Sequence, residues 1–322
     1  MSDLVNVVLT FAGRKAYLCD LLRAGKGCGR VVALDADPLA TVRVSADDFV
    51  LVPAVEDEDA YVRSLAHVAE RYAPAVALPL NDLDLAVLAR HRQLLGGLGL
   101  NVLGCTTDDI ALTITDKLAA ERWLERHGIV SPATELLPPE PGAPGAGRRV
   151  VKARYGQAGE GLAFLESGEA PPPSAAPRVC QPRIAGEEHH VDVLVSGRGR
   201  LLALVAKRKL LMKWGSTDKA VSVPHQPFLP VGEKLAASRA FAGSIDLDVI
   251  QTADGPVVID VNPRLGGGFP FTALLQPSYV DLLLAVGRGE EPEPRLGGYE
   301  PGRVGHRDFA FRLESEDHTP AP

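Results

Sequence analysis

Two aspartates and one asparagine in the C-terminal third of the chain could form a metal site. The segment LDVIQTADGPVVIDVN predicts a β-hairpin with Asp254-Gly255 as its two-residue turn. Positions 248 and 260 then lie near each other at the open end, and Asn262 falls on the same face as Asp260. Oxygen ligands from Asp248, Asp260 and Asn262 suit a Mg²⁺ ion that bridges nucleotide phosphates. The hairpin alone leaves open the alternative of a solvated strand with exposed aspartates.

A lysine and a glycine-rich stretch in the middle of the chain could bind phosphate. Lys152 belongs to a strand-like run and is followed by Gly156, Gly159 and Gly161. Glycines let backbone N–H groups come close to a phosphate, and the lysine would add a positive charge. An ordinary hairpin turn explains the same glycines, so this stretch needs support from other motifs.

Three more lysines have both an ordinary and a functional interpretation. Lys117 lies in the first turn of a predicted amphipathic helix, where a cation is slightly unfavourable against the helix dipole, so a functional reason is plausible. Lys207 and Lys209 lie two residues apart on a predicted strand and therefore share a face. Without other motifs they would indicate a solvated edge strand.

The histidines and cysteines do not predict a metal centre. His189 and His190 are neighbours on a predicted strand and point to opposite faces, so they cannot bind one metal ion together. The four cysteines are scattered without a C-x-x-C pair, which argues against a zinc site and against a disulfide framework.

Taken in order along the chain, these segments resemble the ATP-grasp superfamily, most closely its carbamoyl-phosphate-synthase-like branch. Asp260 to Arg264, Asp-Val-Asn-Pro-Arg, is similar to the acid-x-Asn-Pro-Arg signature of that family. Val150 to Gly161 resembles its strand lysine and phosphate loop, Asp116-Lys117 resembles the start of its central unit, and Gln181 to Asp192 resembles its hinge. The chain departs from the family pattern at three positions, Asp260, Gln181 and Glu160.

The resemblance implies ATP and Mg²⁺ as cofactors, with Mn²⁺ as the alternative metal ion. Magnesium would be bound by Asp248, Asp260 and Asn262. The implied catalytic residues are Arg264 and Lys207, which would face the transferred phosphoryl group; Lys207 matches the family's basic strand better than Lys209. The residues implied in nucleotide binding are Lys117, Lys152, Gly156, Gly159, Gly161, Gln181, Pro182, Arg183, Ile184, Glu188 and Lys209.

The activity implied by the resemblance is ligation of a carboxylate to an amine through an acyl phosphate, with ADP and phosphate as products. Amino acids are the expected substrates. A lid from Lys152 to Gly161 would close over the intermediate, and Gly266 to Gly268 with Phe269 would line the acyl or amine pocket. Two alternatives stay open: activation of bicarbonate, as in carbamoyl-phosphate synthases and biotin carboxylases, and a non-catalytic nucleotide-binding regulatory module, which the three departures would favour.

The elements that must position these residues form an α/β and α+β chain of three predicted units. From Asn6 to about Gly104, short β-branched runs alternate with helical patterns, which predicts a Rossmann-like pre-ATP-grasp domain over residues 1–105. It lacks G-x-G-x-x-G, so NAD binding is not expected, but Asn81-Asp82 follows a strand at an edge where ligands bind. A central ATP-grasp lid subdomain over residues 106–180 follows, opened by a helix capped by Thr106 with Asp109. A C-terminal ATP-grasp subdomain over residues 181–322 holds the metal site, with a helix near residues 234–243.

Composition sets limits on function. The chain has 322 residues, of which 46% are hydrophobic and 23% charged, and this is ordinary globular composition. A net charge of −7 gives no overall basic surface for nucleic-acid binding. No basic leader precedes the first strand and no continuous apolar run is long enough to span a membrane, so a cytoplasmic protein without membrane contact is expected. The sequence leaves a homodimer open.

Overall fold

The N-terminal part of the chain is a parallel sheet covered by helices on both faces. The computed structural model describes residues 4–137, 146–156, 161–213, 215–308 and 310–311. The sheet has the order β3-β2-β1-β4-β5, and all of its strand pairs are parallel. Because both faces are covered, central residues such as Val7, Val8 and Leu9 have no exposed surface. Its elements are β1 (Val5–Thr10), α1 (Tyr17–Arg23), β2 (Cys28–Asp35), β3 (Asp48–Leu51), α2 (Glu58–Tyr72), β4 (Ala75–Pro79), α3 (Leu85–Gly97) and β5 (Leu100–Val102).

A short strand and two helices lead from this sheet into the middle of the chain. They are β6 (Gly104–Cys105), α4 (Asp108–Thr115) and α5 (Lys117–Arg126). The predicted cap of α4 is off by one residue: Thr107 Oγ1 accepts from the Ile110 N–H at 3.3 Å, whereas the Thr106 hydroxyl donates to the Ala240 carbonyl. Asp116 caps α5, since its side chain accepts from the Leu118 N–H.

A four-stranded antiparallel sheet of order β7-β10-β8-β9 follows. Its strands are β7 (Glu135–Leu137), β8 (Arg149–Ala153), β9 (Ala163–Leu165) and β10 (Arg178–Pro182). Among the residues described here, its buried core consists of Val151, Leu165 and Cys180. The predicted division between residues 180 and 181 falls inside β10, and the division into three units stays a prediction.

The C-terminal part is a larger antiparallel sheet of order β15-β14-β11-β12-β13-β16, with β6 paired to β14. The predicted helix near residues 234–243 is displaced, because residues 241–243 pair with β6 and β11 as part of β14. The elements are β11 (Glu187–Val195), β12 (Leu201–Lys213), β13 (Ser216–Val223), α6 (Leu229–Ser238), β14 (Phe241–Thr252), β15 (Gly255–Asn262), α7 (Phe269–Leu275), α8 (Ser278–Gly287) and β16 (Val304–His306).

One hydrophobic core joins the parallel sheet to the C-terminal part. Leu9 and Leu78 of the parallel sheet belong to the same buried cluster as Leu265, Phe269 and Tyr279. This packing brings the carboxyl ends of β1 and β4 to the chain segment that follows β15. Across the described ranges no single helix is long and apolar enough to cross a membrane; only α7 and α8 together reach that length and composition, and they are bent by 111° relative to each other.

Candidate active site

A cavity of about 550 Å³ lies between the four-stranded sheet and the larger antiparallel sheet. Of the predicted site residues, Gly161 and Lys207 are not among the described residues that line it, and Gly159 lies outside the described residues. The assignment of roles to individual residues stays a prediction. The predicted residues that do line the cavity are Lys117, Lys152, Gly156, Gln181, Pro182, Arg183, Ile184, Glu188, Lys209, Asp248, Asp260, Asn262 and Arg264.

The hairpin that carries the metal-ligand candidates has a different turn from the predicted one, but it brings Asp248 and Asp260 near each other as expected. Thr252 pairs with Gly255, so the turn is Ala253-Asp254, one residue earlier than expected. Continued regularly, this register would place Ile259 opposite Asp248. A β-bulge between Asp248 and Val249 shifts the register, and Asp248 pairs with Asp260.

The three oxygen-bearing side chains fit a magnesium ion by the chemistry of their donors. Asp248, Asp260 and Asn262 lie on one face of two adjacent strands and all line the cavity. They offer hard oxygen ligands and leave room for phosphate oxygens and water, as magnesium sites with bound nucleotides do. Lys209 Nζ donates a hydrogen bond to Asp248 Oδ1 at 2.6 Å.

Lys152 and Lys117 point their ammonium groups at backbone carbonyls of the cavity wall. Lys152 Nζ donates to the carbonyl of the bulge residue Ile259 at 3.0 Å, and Lys117 Nζ donates to the Gly156 carbonyl at 2.8 Å. Burial lowers the pKa of Lys152 from its ordinary value, although Asp260 opposes this. Both lysines can therefore turn towards a phosphate without leaving a carboxylate unpaired.

Lys209 and Lys207 share a face of β12 as predicted, but only Lys209 lines the cavity. Lys209 Nζ contacts Glu188 and Asp248, each at 2.6 Å. Burial opposes the charge of Lys209, yet these two carboxylates raise its pKa above the ordinary value. Glu188, one of the residues implied in nucleotide binding, is thus held by Lys209.

Lys207, which was predicted to face the transferred phosphoryl group, is buried and is not among the described residues that line the cavity. Its side chain is 1% exposed and contacts Asp192 at 2.5 Å. It also donates to the Thr272 hydroxyl, and the Gly268 carbonyl lies 3.4 Å away. Because the start of α7 covers this part of β12, Lys207 is buried, whereas Lys209 lies nearer the end of the strand. Burial lowers the pKa of Lys207, and Asp192 opposes this.

Arg264 is held by one residue of the N-terminal sheet region and one residue of the C-terminal sheet. Its Nε donates to Asp82 Oδ1 at 2.8 Å, and its Nη2 donates to Asn262 Oδ1 at 3.2 Å. Asp82 follows β4, so the edge of the parallel sheet that was expected to bind ligands contributes to this site. Lys15, which follows β1, lies nearby, and burial together with the charge of Arg264 lowers its pKa to about 8.

The cavity lining also contains apolar side chains. Leu162, Phe164, Met212, Ile184 and Ile250 are among the residues that line it, as are residues 181–183 of the predicted hinge. Apolar side chains beside a few polar groups suit a nucleotide base. The Gln181 side chain is fixed by a 2.7 Å hydrogen bond to Thr134 Oγ1.

Sequence reasoning missed a buried charged cluster below the metal-ligand candidates. His190 Nε2 lies 3.3 Å from Asp192 Oδ2, and His190 Nδ1 lies 3.1 Å from Asp246 Oδ1. Burial raises the pKa of Asp246 to about 6 although His190 opposes this, whereas Lys207 and His190 outweigh burial at Asp192 and hold its pKa well below the ordinary range. His189 points away, with Nδ1 2.8 Å from the Glu187 carbonyl, as strand alternation predicts.

The glycines after Arg264 pack directly against this cluster. A Cβ atom on Gly266 would lie 2.0 Å from Asp246 Oδ2, and one on Gly268 would lie 2.8 Å from the His190 ring. Of the glycines expected to line a pocket, Gly267 lines the cavity, whereas Gly266 and Gly268 are not among the described residues that line it. Phe269 does not line it either, because it is fully buried in the core against Tyr279.

Family models match most of the chain. Residues 114–268 match the ATP-grasp domain, and residues 7–103 match the PylC-like N-terminal domain. Carnosine synthase 1 of Mus musculus is 32% identical over 135 residues, which are 37% of this chain and 16% of that protein. Carnosine synthase 1 of Homo sapiens is 30% identical over 112 residues, which are 32% of this chain and 13% of that protein. The chain thus spans only a small part of the length of these curated relatives.

Solved structures agree with this assignment at the level of the fold. An ADP complex of N5-carboxyaminoimidazole ribonucleotide synthetase has a TM-score of 0.67 at 16% identity, covering 94% of this chain and 81% of that one. An L-amino acid ligase from Bacillus licheniformis has a TM-score of 0.64 at 16% identity, covering 93% and 78%. The two family matches, which agree with the shared fold, lead to one conclusion: the chain belongs to the ATP-grasp family and carries a PylC-like N-terminal domain.

Proposed function

We propose that this protein is an ATP- and magnesium-dependent ligase that joins a carboxylate to an amine through an acyl phosphate and releases ADP and phosphate. The observation that carries the proposal is one cavity that holds three kinds of group. Apolar side chains can contact a base, Lys117 and Lys152 can contact phosphates, and Asn262 offers an oxygen donor beside Arg264. The base, the phosphates and the reacting group of a bound nucleotide need these three kinds of group.

The nucleotide would lie with its base between the apolar side chains and the backbone of residues 181–184. Glu188, oriented by Lys209, is placed to accept hydrogen bonds from ribose hydroxyls. Lys117 and Lys152 would exchange their carbonyl contacts for phosphate oxygens, which are stronger acceptors for an ammonium group.

Asp248, Asp260 and Asn262 would hold the magnesium ion. Magnesium bound there would neutralise negative charge on the phosphate oxygens during transfer. The residues of the chain do the rest: Lys209 keeps Asp248 ionised and in place, and the β-bulge sets Asp248 opposite Asp260.

In the first reaction step a carboxylate oxygen of the substrate attacks the γ-phosphorus, and ADP leaves. Arg264 is fixed through Nε and Nη2, so its remaining N–H groups can stabilise the transferred phosphoryl group. In the second step the amine attacks the acyl carbon, the amide bond forms, and phosphate leaves. Water must be kept out between the steps, because an acyl phosphate hydrolyses.

Amino acids are the proposed substrates. The name of the L-amino acid ligase describes ligation of amino acids, and carnosine synthase 1 is named as a biosynthetic enzyme for a small molecule. The volume of about 550 Å³ also limits the cavity to small ligands in addition to the nucleotide.

A screen of ADP release tests the proposal. The purified protein would be incubated with ATP, Mg²⁺ and each proteinogenic amino acid, β-alanine or bicarbonate, singly and in pairs. We expect ADP release that needs two amino acids, or one amino acid and another amine, and a product with an amide bond by mass spectrometry. Release with bicarbonate alone would favour a bicarbonate-activating enzyme, and no release with any pair would favour a nucleotide-binding module.

A further inference from the structure

One carboxylate of the cavity, Asp246, has no part in binding the nucleotide or the metal as proposed above. It lies on β14 two residues before Asp248, pairs with Asn262 of β15 and lines the cavity. Its Oδ2 lies 3.8 Å from Arg264 Nη1. Arg264 would contact the phosphoryl group of the acyl phosphate, so a nucleophile that attacks the acyl carbon must come close to Asp246.

The charge balance around Asp246 differs from that of its neighbours. Glu188 and Asp248 share Lys209, and Asp192 contacts Lys207. Asp246 is 6% exposed, and its Oδ1 makes no hydrogen bond within the described part of the chain, although His190 Nδ1 lies 3.1 Å away. A buried carboxylate without a hydrogen-bonded cation is costly, and a cationic group of a substrate would remove that cost.

Two glycines of the backbone next to Asp246 leave room for its carboxylate and for a group beside it. Gly266 packs against Oδ2 so closely that a Cβ atom there would lie 2.0 Å away. At Gly267 a Cβ atom would lie 2.3 Å from Ser216 Oγ, and this glycine lines the cavity. Side chains at these two positions would displace the carboxylate or fill the space next to it.

A metal ion is the other cation that could bind here, since ligand atoms of His190, Asp192 and Asp246 lie within 4.8 Å of one another. The imidazole, however, faces the two carboxylates with different nitrogens, Nε2 towards Asp192 and Nδ1 towards Asp246. No single nitrogen therefore lies between both carboxylates, and the ammonium group of Lys207 already neutralises Asp192. An organic ammonium group at Asp246 fits this arrangement better.

We infer that Asp246 binds the amino group of the second substrate in its ammonium form, so that the ligase selects primary amines of the amino-acid type. The inference rests on the proposed function and assigns the part of the same cavity around Asp246 to the amine substrate. Before attack the ammonium group sits beside Arg264 and the acyl group, with Gly266 and Gly267 as the wall behind it. Its nitrogen gives one proton to an oxygen of the acyl phosphate, which frees the lone pair for attack on the acyl carbon. The second proton leaves with the phosphate as the C–O bond breaks and the amide bond forms.

The test compares Asp246→Asn with the matched control Asp254→Asn, which removes one carboxylate from the turn of the same hairpin. Both variants are assayed with the carboxylate and amine that give the highest ADP release in the screen. Amide formation is measured as the amine is titrated. In a second assay the amine is replaced by hydroxylamine, which is uncharged at neutral pH and traps the acyl phosphate as a hydroxamate.

For Asp246→Asn we expect the KM for the amine to rise by about thirtyfold or more, because a buried charge contact is lost. Hydroxamate formation and the KM for ATP should stay within about threefold of the wild type, since neither needs this contact. The control should match the wild type in both assays. A second measurement uses only the wild type and so does not depend on whether a variant folds. An analogue of the amine with a hydroxyl group in place of the amino group is tested as an inhibitor. Its inhibition constant should be at least about thirtyfold higher than the KM for the amine.

Three results would overturn the inference. Equal losses of hydroxamate and amide formation would place Asp246 in the metal or phosphoryl-transfer machinery. An unchanged KM for the amine, or strong inhibition by the hydroxyl analogue, would show that no charge contact is made. If the wild type forms neither hydroxamate nor ADP with any carboxylate, the proposed function itself fails, and this is seen before any variant is made.

Discussion

Replacing Arg264 with lysine should separate the positive charge at this position from its geometry. The guanidinium group uses Nε for Asp82 at 2.8 Å and Nη2 for Asn262 at 3.2 Å, while Nη1 lies 3.8 Å from Asp246. Although burial opposes it, Asp82 and Asp246 raise the pKa of Arg264, so the side chain is a fixed cation. Lysine keeps the charge but can satisfy only one of these directions at a time.

The expected loss for Arg264→Lys is about a hundredfold in kcat, which corresponds to about 2.7 kcal/mol of transition-state stabilisation. The KM for ATP should change by less than about threefold, because the hydrogen bonds of Arg264 go to Asp82 and Asn262 and not to the residues proposed to contact base and ribose. ADP release under saturating substrates measures kcat, and thermal unfolding checks the fold. Arg288→Lys is the matched control, since it alters a surface ion pair with Glu290 at 2.6 Å and should keep full activity. A loss below about threefold for Arg264→Lys, or a loss confined to KM, would refute the assigned role.

Three further predictions concern the metal site, the glycine run and a buried acid. Asp260→Ala and Asn262→Ala should each abolish magnesium-dependent ADP release while the melting temperature stays near that of the wild type; near-normal activity would remove them from the metal site. Gly266→Ala should lower activity strongly because its Cβ would meet Asp246 Oδ2 at 2.0 Å, whereas Gly96→Ala on α3, with nothing within 4 Å, should keep activity and slightly raise stability. Burial raises the pKa of Asp84 from 3.8 to about 6, so the folded state binds the proton more tightly and stability should fall by about 2 kcal/mol as pH rises from 4 to 7. Urea unfolding of Asp84→Asn should lack this fall, and identical pH profiles of variant and wild type would contradict it.

Much of the site could be predicted because its residues obey local rules. Strand alternation places Asp260 and Asn262 on one face whatever the rest of the fold does, and it separates His189 from His190. The closeness of Asp248 and Asp260 was predicted from the wrong turn. A regular hairpin around the predicted turn would place position 261 opposite Asp248, and one around the observed turn would place Ile259 there; the bulge sets Asp260 opposite Asp248. A bulge has no clear signal in a single sequence, so the exact pairing could not be predicted.

The parts that were missed depend on tertiary packing. The pattern of β12 shows that Lys207 and Lys209 share a face, but not that α7 covers Lys207 and leaves Lys209 in the cavity. Phe269 was expected in the pocket and lies in the core for the same reason. Asp192 and Asp246 come from different strands, and only the pairing of β11 with β14 places His190 between them. The sequence did contain one signal for this cluster. Asp192 lies two residues after His190, and Asp246 lies two residues before Asp248, so each pair shares a face of its strand.

The central claim, an acyl-phosphate route, is tested most directly by following oxygen from the carboxylate substrate. The carboxylate that supports ADP release would be labelled with ¹⁸O and the inorganic phosphate analysed by mass spectrometry after turnover. Since a carboxylate oxygen attacks the γ-phosphorus, one ¹⁸O atom per turnover should appear in phosphate, and the nucleotide product should be ADP. Phosphate without label, or AMP and pyrophosphate as products, would contradict the mechanism even if ATP binds in the cavity as proposed.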